Sequence, residues 1–162
     1  MKTLKAFVVA FLTLGITSAY AQQVQVHLKN KKVYVNNQPY GYLHKSGSVW
    51  AKDFVFQNTK NEDVATITAV NRELANGYDY TYYHITFKAT GQVAEMDLTD
   101  DFERRLANEL AGYKVLKNDL PNPEGIAKFL ERYPTTISKR LAANGGTYLK
   151  PETVEKTEKA EK

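Results

Sequence analysis

The chain is expected to fold as an α+β domain: an antiparallel β-meander of six or seven strands over about residues 24–98, then two or three helices over about 100–143 packed on one face of the sheet. Three observations predict this. Apolar side chains alternate at every second position through the first half, Asn, Gly and Pro cut that half into short runs, and beyond Thr99 the apolar spacing changes to three and four. Short runs joined by tight turns pair antiparallel, because a parallel pair needs a long crossover.

Val24, Val26 and Leu28 open the alternation, and Asn30-Lys31 breaks it. Val33 and Val35 resume it, and Asn36-Asn37-Gln38-Pro39 makes the next turn. Pro39 has no amide donor and suits the first position of a strand over 40–45. A Ser46-Gly47-Ser48 loop precedes a strand over 53–58, with Phe54 and Phe56 on one face. Polar residues 59–63 turn the chain into 64–71. Asn76-Gly77 signals a two-residue hairpin into 78–89, and Thr90-Gly91 turns that strand into 92–98.

The helical half starts at Thr99 or Asp100, either of which suits a helix cap, with Asp100, Asp101 and Glu103 at the end where negative charge is favoured. Phe102, Leu106 and Leu110 line one face, and Gly112 supplies the left-handed stop. Asn122-Pro123 begins a second helix with Ile126, Phe129, Leu130 and Tyr133 as its buried face. Pro134 ends it, Thr135 or Thr136 caps a third through Ala143, and Asn144-Gly145-Gly146 closes the segment.

Residues 1–21 carry an address. Lys2 and Lys5 precede an apolar run over 6–16, and Ala19-Tyr20-Ala21 offers a small-x-small cleavage site before Gln22, the three-part pattern of a secretory signal peptide. The run is shorter than the roughly 20 apolar residues a membrane-spanning helix needs. The domains expected are therefore a signal peptide over 1–21, one α+β domain over 22–150, and a disordered, charged tail over 151–162. In that tail Glu152/Lys156, Glu155/Lys159 and Glu158/Lys162 are spaced to pair on a helix, but each pair contributes only about 0.2–0.5 kcal/mol. Removing 21 of the 162 residues leaves 141, enough for one domain to bury a core without metal or disulfide.

The chain has no cysteine, which excludes a disulfide framework, a zinc-thiolate site and a cysteine nucleophile. An exported chain without disulfides fits a bacterial periplasm or medium. The formal charge of +4 becomes +2 once Lys2 and Lys5 are gone, and the remaining basic residues are scattered apart from Lys29, Lys31 and Lys32. No basic stripe points to nucleic acid.

Familiar catalytic motifs are missing: no G-x-S-x-G elbow, no H-E-x-x-H and no phosphate-binding glycine loop occurs. His27, His44 and His84 lack metal-ligand spacing, so no metal, cofactor or catalytic residue is assigned. Asp97, Asp100, Asp101 and Glu103 cluster where strand meets helix, and capping explains them more simply than paired-carboxylate catalysis. Tyrosine is the unusual item, ten of eleven remaining after the leader is removed. Tyr78, Tyr80, Tyr82 and His84 share one face of a strand, and Tyr83, Ile85 and Phe87 share the other. The apolar row is the better helix-facing side, which leaves Tyr78, Tyr80, Tyr82 and His84, beside Tyr40 and Tyr42, as a ligand-binding strip on the open side. The expected function is thus an exported, non-enzymatic binding module for a protein, peptide or glycan partner. The alternative is a small hydrolase using His44 or His84 with Asp53 or Asp97.

Overall fold

The computed structural model describes residues 25–46, 53–145 and 147–149; the expected signal peptide, the loop at Gly47 and Ser48 and the charged tail lie outside the described residues. Seven strands form an antiparallel meander in chain order: β1 (Val26–Lys29), β2 (Lys32–Val35), β3 (Gln38–Ser46), β4 (Asp53–Gln57), β5 (Asp63–Glu73), β6 (Asp79–Phe87) and β7 (Val93–Asp97). Helix α1 (Phe102–Gly112) follows, then a two-stranded hairpin of β8 (Leu116–Lys117) and β9 (Leu120–Pro121). The chain continues through α2 (Pro123–Arg132) and α3 (Ile137–Ala143) to β10 (Thr147–Leu149), which pairs with β5 at Asn71–Glu73. This is the α+β architecture the residue pattern predicts. None of the described helices is long and apolar enough to cross a membrane.

Turn chemistry sets the register. Asn30-Lys31, Asn36-Asn37 and Asn118-Asp119 all take positive φ at both residues, so each closes a two-residue hairpin. Asparagine tolerates that conformation because its short amide bonds locally. The Asn76-Gly77 turn differs from the expected two-residue form. Gly77 alone takes positive φ (79°), and Leu74 and Tyr78 close a three-residue loop through Leu74 N–H to Tyr78 O at 2.8 Å and Gly77 N–H to Leu74 O at 2.9 Å. That count pairs Val70 with Tyr82 and Thr68 with His84.

Register in turn assigns the faces. Phe54, Ile67, Ile85 and Ala94 lie opposite one another across β4–β7, with Phe56, Ala65 and Phe87 beside them, and all are buried. Tyr83 shares this inner face, as the strand alternation predicts, and stacks on Phe102 of α1 at 3.8 Å. Leu106 and Leu110 extend the α1 contact, and Phe129 of α2 meets Phe87 edge-on at 5.4 Å. Each such side chain contributes about 1.5–3 kcal/mol on burial.

The stop of α1 is not at Gly112. Lys114 holds the left-handed conformation (φ 54°), with Lys114 N–H donating to Ala111 O and Val115 N–H to Leu110 O, the paired bonds of a Schellman end. At Gly125 a Cβ would run into the Tyr113 and Lys114 carbonyl oxygens, so glycine lets α2 seat directly on that end.

Helices α1 and α2 pack on the inner face, whereas α3 reaches the other. Pro134 ends α2, and Glu95 N–H of edge strand β7 donates to Tyr133 O at 3.1 Å as the chain rounds that edge. Ile137 and Leu141 then pack on Val70 and Tyr82, which alternate with the inner-facing residues. The crossing also covers part of an edge that would otherwise offer free backbone donors.

Candidate functional site

The six sequence-predicted binding residues do not form one strip. Tyr40 lies at a bulge between β2 and β3, where the pairing shifts between Val33 and Tyr34. The extra residue turns its ring to the inner side, where it stacks against Phe56 at 6.2 Å. Its hydroxyl accepts Leu116 N–H at 2.8 Å and lies within donating distance of Leu110 O (3.2 Å). Burial pushes its pKa up to about 12, the Leu116 backbone bond opposing the rise. Tyr40 is therefore a structural tie between sheet and α1, not a member of the open face.

Tyr82 also departs from expectation. It is 0% exposed because α3 roofs it, and its hydroxyl has no hydrogen-bond partner among the described residues. Tyr80 stands at the roof's margin, bonded through its hydroxyl to Asp97, with Arg140 of α3 donating to the same oxygen at 3.4 Å. Burial raises its pKa, and the Asp97 carboxylate adds to the rise. Tyr78, beside the three-residue loop, is 71% exposed.

The part of the outer face that α3 leaves uncovered is built from Tyr42, His44, Val55, Thr66, Thr86 and Val93. Strand pairing sets His44, Val55, Thr66, Thr86 and Val93 in one row across five strands, all half-buried. Tyr42 and His44 stack with centroids 5.8 Å apart, and Lys32 Nζ lies 5.8 Å from the Tyr42 ring centroid.

His84 marks the boundary between roofed and open parts. Its Nε2 lies 3.2 Å from Glu95 Oε1, directly across the β6–β7 pair, and the His84 side chain is 37% exposed while that of Glu95 is 1% exposed. The second Glu95 oxygen accepts Ser138 N–H at 3.0 Å. Thr136 at the α3 N-cap makes no side-chain cap bond, so Glu95 of β7 satisfies a free amide of the first turn from outside the helix. One buried carboxylate thus joins the histidine to the roof. Sequence reasoning missed Glu95. Counting register outward from a four-residue Thr90-Gly91 loop would have set it opposite His84.

The other candidates stay apart. Asp53 accepts Ala69 N–H at 2.8 Å, and Asp97 holds Tyr80, so neither named carboxylate meets a histidine. His27 Nε2 lies 3.2 Å from Asn37 Oδ1, and no group of three His, Asp or Glu side chains among the described residues is arranged to hold a metal ion. The acidic cluster does not cap as expected. Asp101 occupies the N-cap of α1 without a side-chain cap bond, and its carboxylate takes Arg104 at 2.7 Å, which holds its pKa below the usual range. Glu103 pairs with Lys45 at 2.7 Å. Comparison of the chain with known protein families, with characterised proteins and with solved structures finds no match.

Proposed function

We propose that this chain is an exported, non-enzymatic binding module whose protein, peptide or glycan partner meets the uncovered part of the outer sheet face around Tyr42, His44 and His84. The observation that carries this reading is the half-buried Tyr42–His44 ring pair beside a row of half-buried Val and Thr side chains. Flat rings with a polar tip give contact area at low entropic cost and keep a hydrogen-bonding handle. The signal-like pattern over residues 1–21 supports an exported location. Replacing both Tyr42 and His44 with Ala tests the reading. Folding by circular dichroism should survive, while binding to the peptide or glycan array feature that the unaltered protein recognises should be lost. Retained binding by the folded variant contradicts it.

A small hydrolase is the second reading, and the His84–Glu95 pair favours it, because a carboxylate can orient an imidazole as a base. Among the described residues the hydrogen bonds of His84 go to Glu95 alone, and no hydroxyl nucleophile is bonded to it. Turnover of ester, glycoside or phosphoester substrates that vanishes in His84→Ala would support this reading. Equal turnover in that variant would remove it.

A further inference from the structure

A cavity of about 260 Å³ opens at the head of α1, on the inner side of the sheet and away from the Tyr42–His44 face. Leu28, Phe54, Leu98 and Phe102 give it apolar walls. Asp100, Asp101, Glu103 and Arg104 supply its charged lining. Two of these acids are answered by cations, Asp101 by Arg104 and Glu103 by Lys45. Asp100 has no cationic partner among the described residues. Its full charge exceeds the roughly half charge of the helix end beside it.

A second observation is independent of the acids. Tyr83 lines the same cavity, is 1% exposed, and has no hydrogen bond to its hydroxyl among the described residues. Unlike the enclosed Tyr82 hydroxyl, that of Tyr83 is not sealed in by protein, so it is open to an occupant of the cavity. Burial, with the Asp53 and Glu103 charges adding, pushes its pKa up to about 12, so it is neutral and able to donate or accept near neutral pH. Leu98, which forms part of the wall, is a large apolar side chain left 46% exposed.

Apolar walls with one uncompensated carboxylate at the mouth match an amphipathic cation. We propose that this cavity binds an alkylammonium group, the carbon stem lying along Leu28, Phe54 and Leu98 and the ammonium meeting Asp100 and the Tyr83 hydroxyl. The volume lies just under the usual range for drug-sized ligands, so it suits a short amine or the end of a lysine side chain. An anion is disfavoured by the unpaired Asp100 charge, and a purely apolar ligand would gain nothing from it.

Amide chemical-shift titration of the full chain tests the proposal, with n-butylammonium, the equally long neutral 1-butanol, and a lysine-containing tetrapeptide as separate probes. The expected result is saturable shifts over Leu98–Arg104 with the amine, the lysyl peptide or both, and none at equal concentration with butanol. Binding by either source supports the site, and their relative strength tells a free amine from a side chain. Asp100→Asn should weaken amine binding about tenfold or more, while Lys139→Ala, on α3, should leave it unchanged. Equal binding of butanol, unaltered amine binding in Asp100→Asn, or no saturable shift with any amine would overturn it. Because Asp100 is exposed and holds no partner among the described residues, its replacement should not unfold the domain, and a preserved spectrum elsewhere verifies this.

Discussion

Tyr40 and Tyr82 make the same hydroxyl do opposite things. The Tyr40 hydroxyl accepts Leu116 N–H, whereas that of Tyr82 is buried with no partner among the described residues. Removing a buried partner leaves an unmet donor behind, and removing an unmet group leaves nothing. Tyr40→Phe is therefore expected to cost about 1–3 kcal/mol in denaturant unfolding, and Tyr82→Phe to be neutral or stabilising by up to about 1 kcal/mol. Truncating Tyr82 to Ala is a different matter, because the ring fills the space under α3, and the expected loss is about 3–5 kcal/mol. The raised tyrosines also fix an alkaline limit. Both Tyr40 and Tyr83 are pushed up to about 12, so their contribution is complete below the ordinary tyrosine value of 10.0. It is lost as pH rises from there through about 12, since the unfolded chain ionises first. Tyr40→Phe should make that alkaline loss shallower without abolishing it, because Tyr83 remains, and unfolding midpoints measured across this window would show it.

At the scale of elements, α3 is held by few contacts and one borrowed cap. Seven residues cannot sustain a helix in water alone, so Ile137 and Leu141 on Val70 and Tyr82, together with the Glu95 carboxylate, keep it on the sheet. Glu95→Ala removes the cap and the His84 contact together. Hydrogen exchange of the α3 amides should accelerate while β4–β6 amides keep their protection; equal acceleration throughout would show that Glu95 serves the whole fold instead. Gly125→Ala belongs to this scale too. The Cβ meets two carbonyl oxygens at the α1 end, and a cost of about 1–3 kcal/mol or more in thermal or denaturant unfolding is expected. Much of the element layout was legible from residue pattern. The Tyr83/Ile85/Phe87 row faces the helices as the alternation implies, and Phe102, Leu106 and Leu110 form the buried stripe of α1. Long-range choices were less legible. Nothing local to 137–143 says which face α3 will cover, because its two large apolar residues, Ile137 and Leu141, fit either. The β8–β9 hairpin hides in four paired residues, and it is docked by Asn58, whose Nδ2 donates to Asp119 O at 3.0 Å, and by Asp119 Oδ1, which accepts Thr59 N–H at 2.8 Å. The bulge that turns Tyr40 inward depends on pairing between strands, which the periodicity within β3 does not reveal.

For the whole molecule, the sheet presents two unlike surfaces. The inner one is packed by α1 and α2 and carries the cavity beside Asp100, and the outer one is divided by α3 into a roofed part over Tyr82 and a part around Tyr42 and His44 that α3 leaves uncovered. That division replaces the continuous tyrosine strip that strand alternation suggests, and it moves the proposed contact surface toward β3 and β4. The same residues that look alike in sequence therefore differ in what a partner can touch. Nitration of the native protein by tetranitromethane, read residue by residue by mass spectrometry, tests this most directly. Tyr42 and Tyr78 should react and Tyr82 and Tyr83 should stay unmodified, and a bound partner should protect Tyr42 while leaving Tyr78 reactive. Modification of Tyr82 as rapid as that of Tyr78, or undiminished reaction of Tyr42 in the complex, would contradict the account.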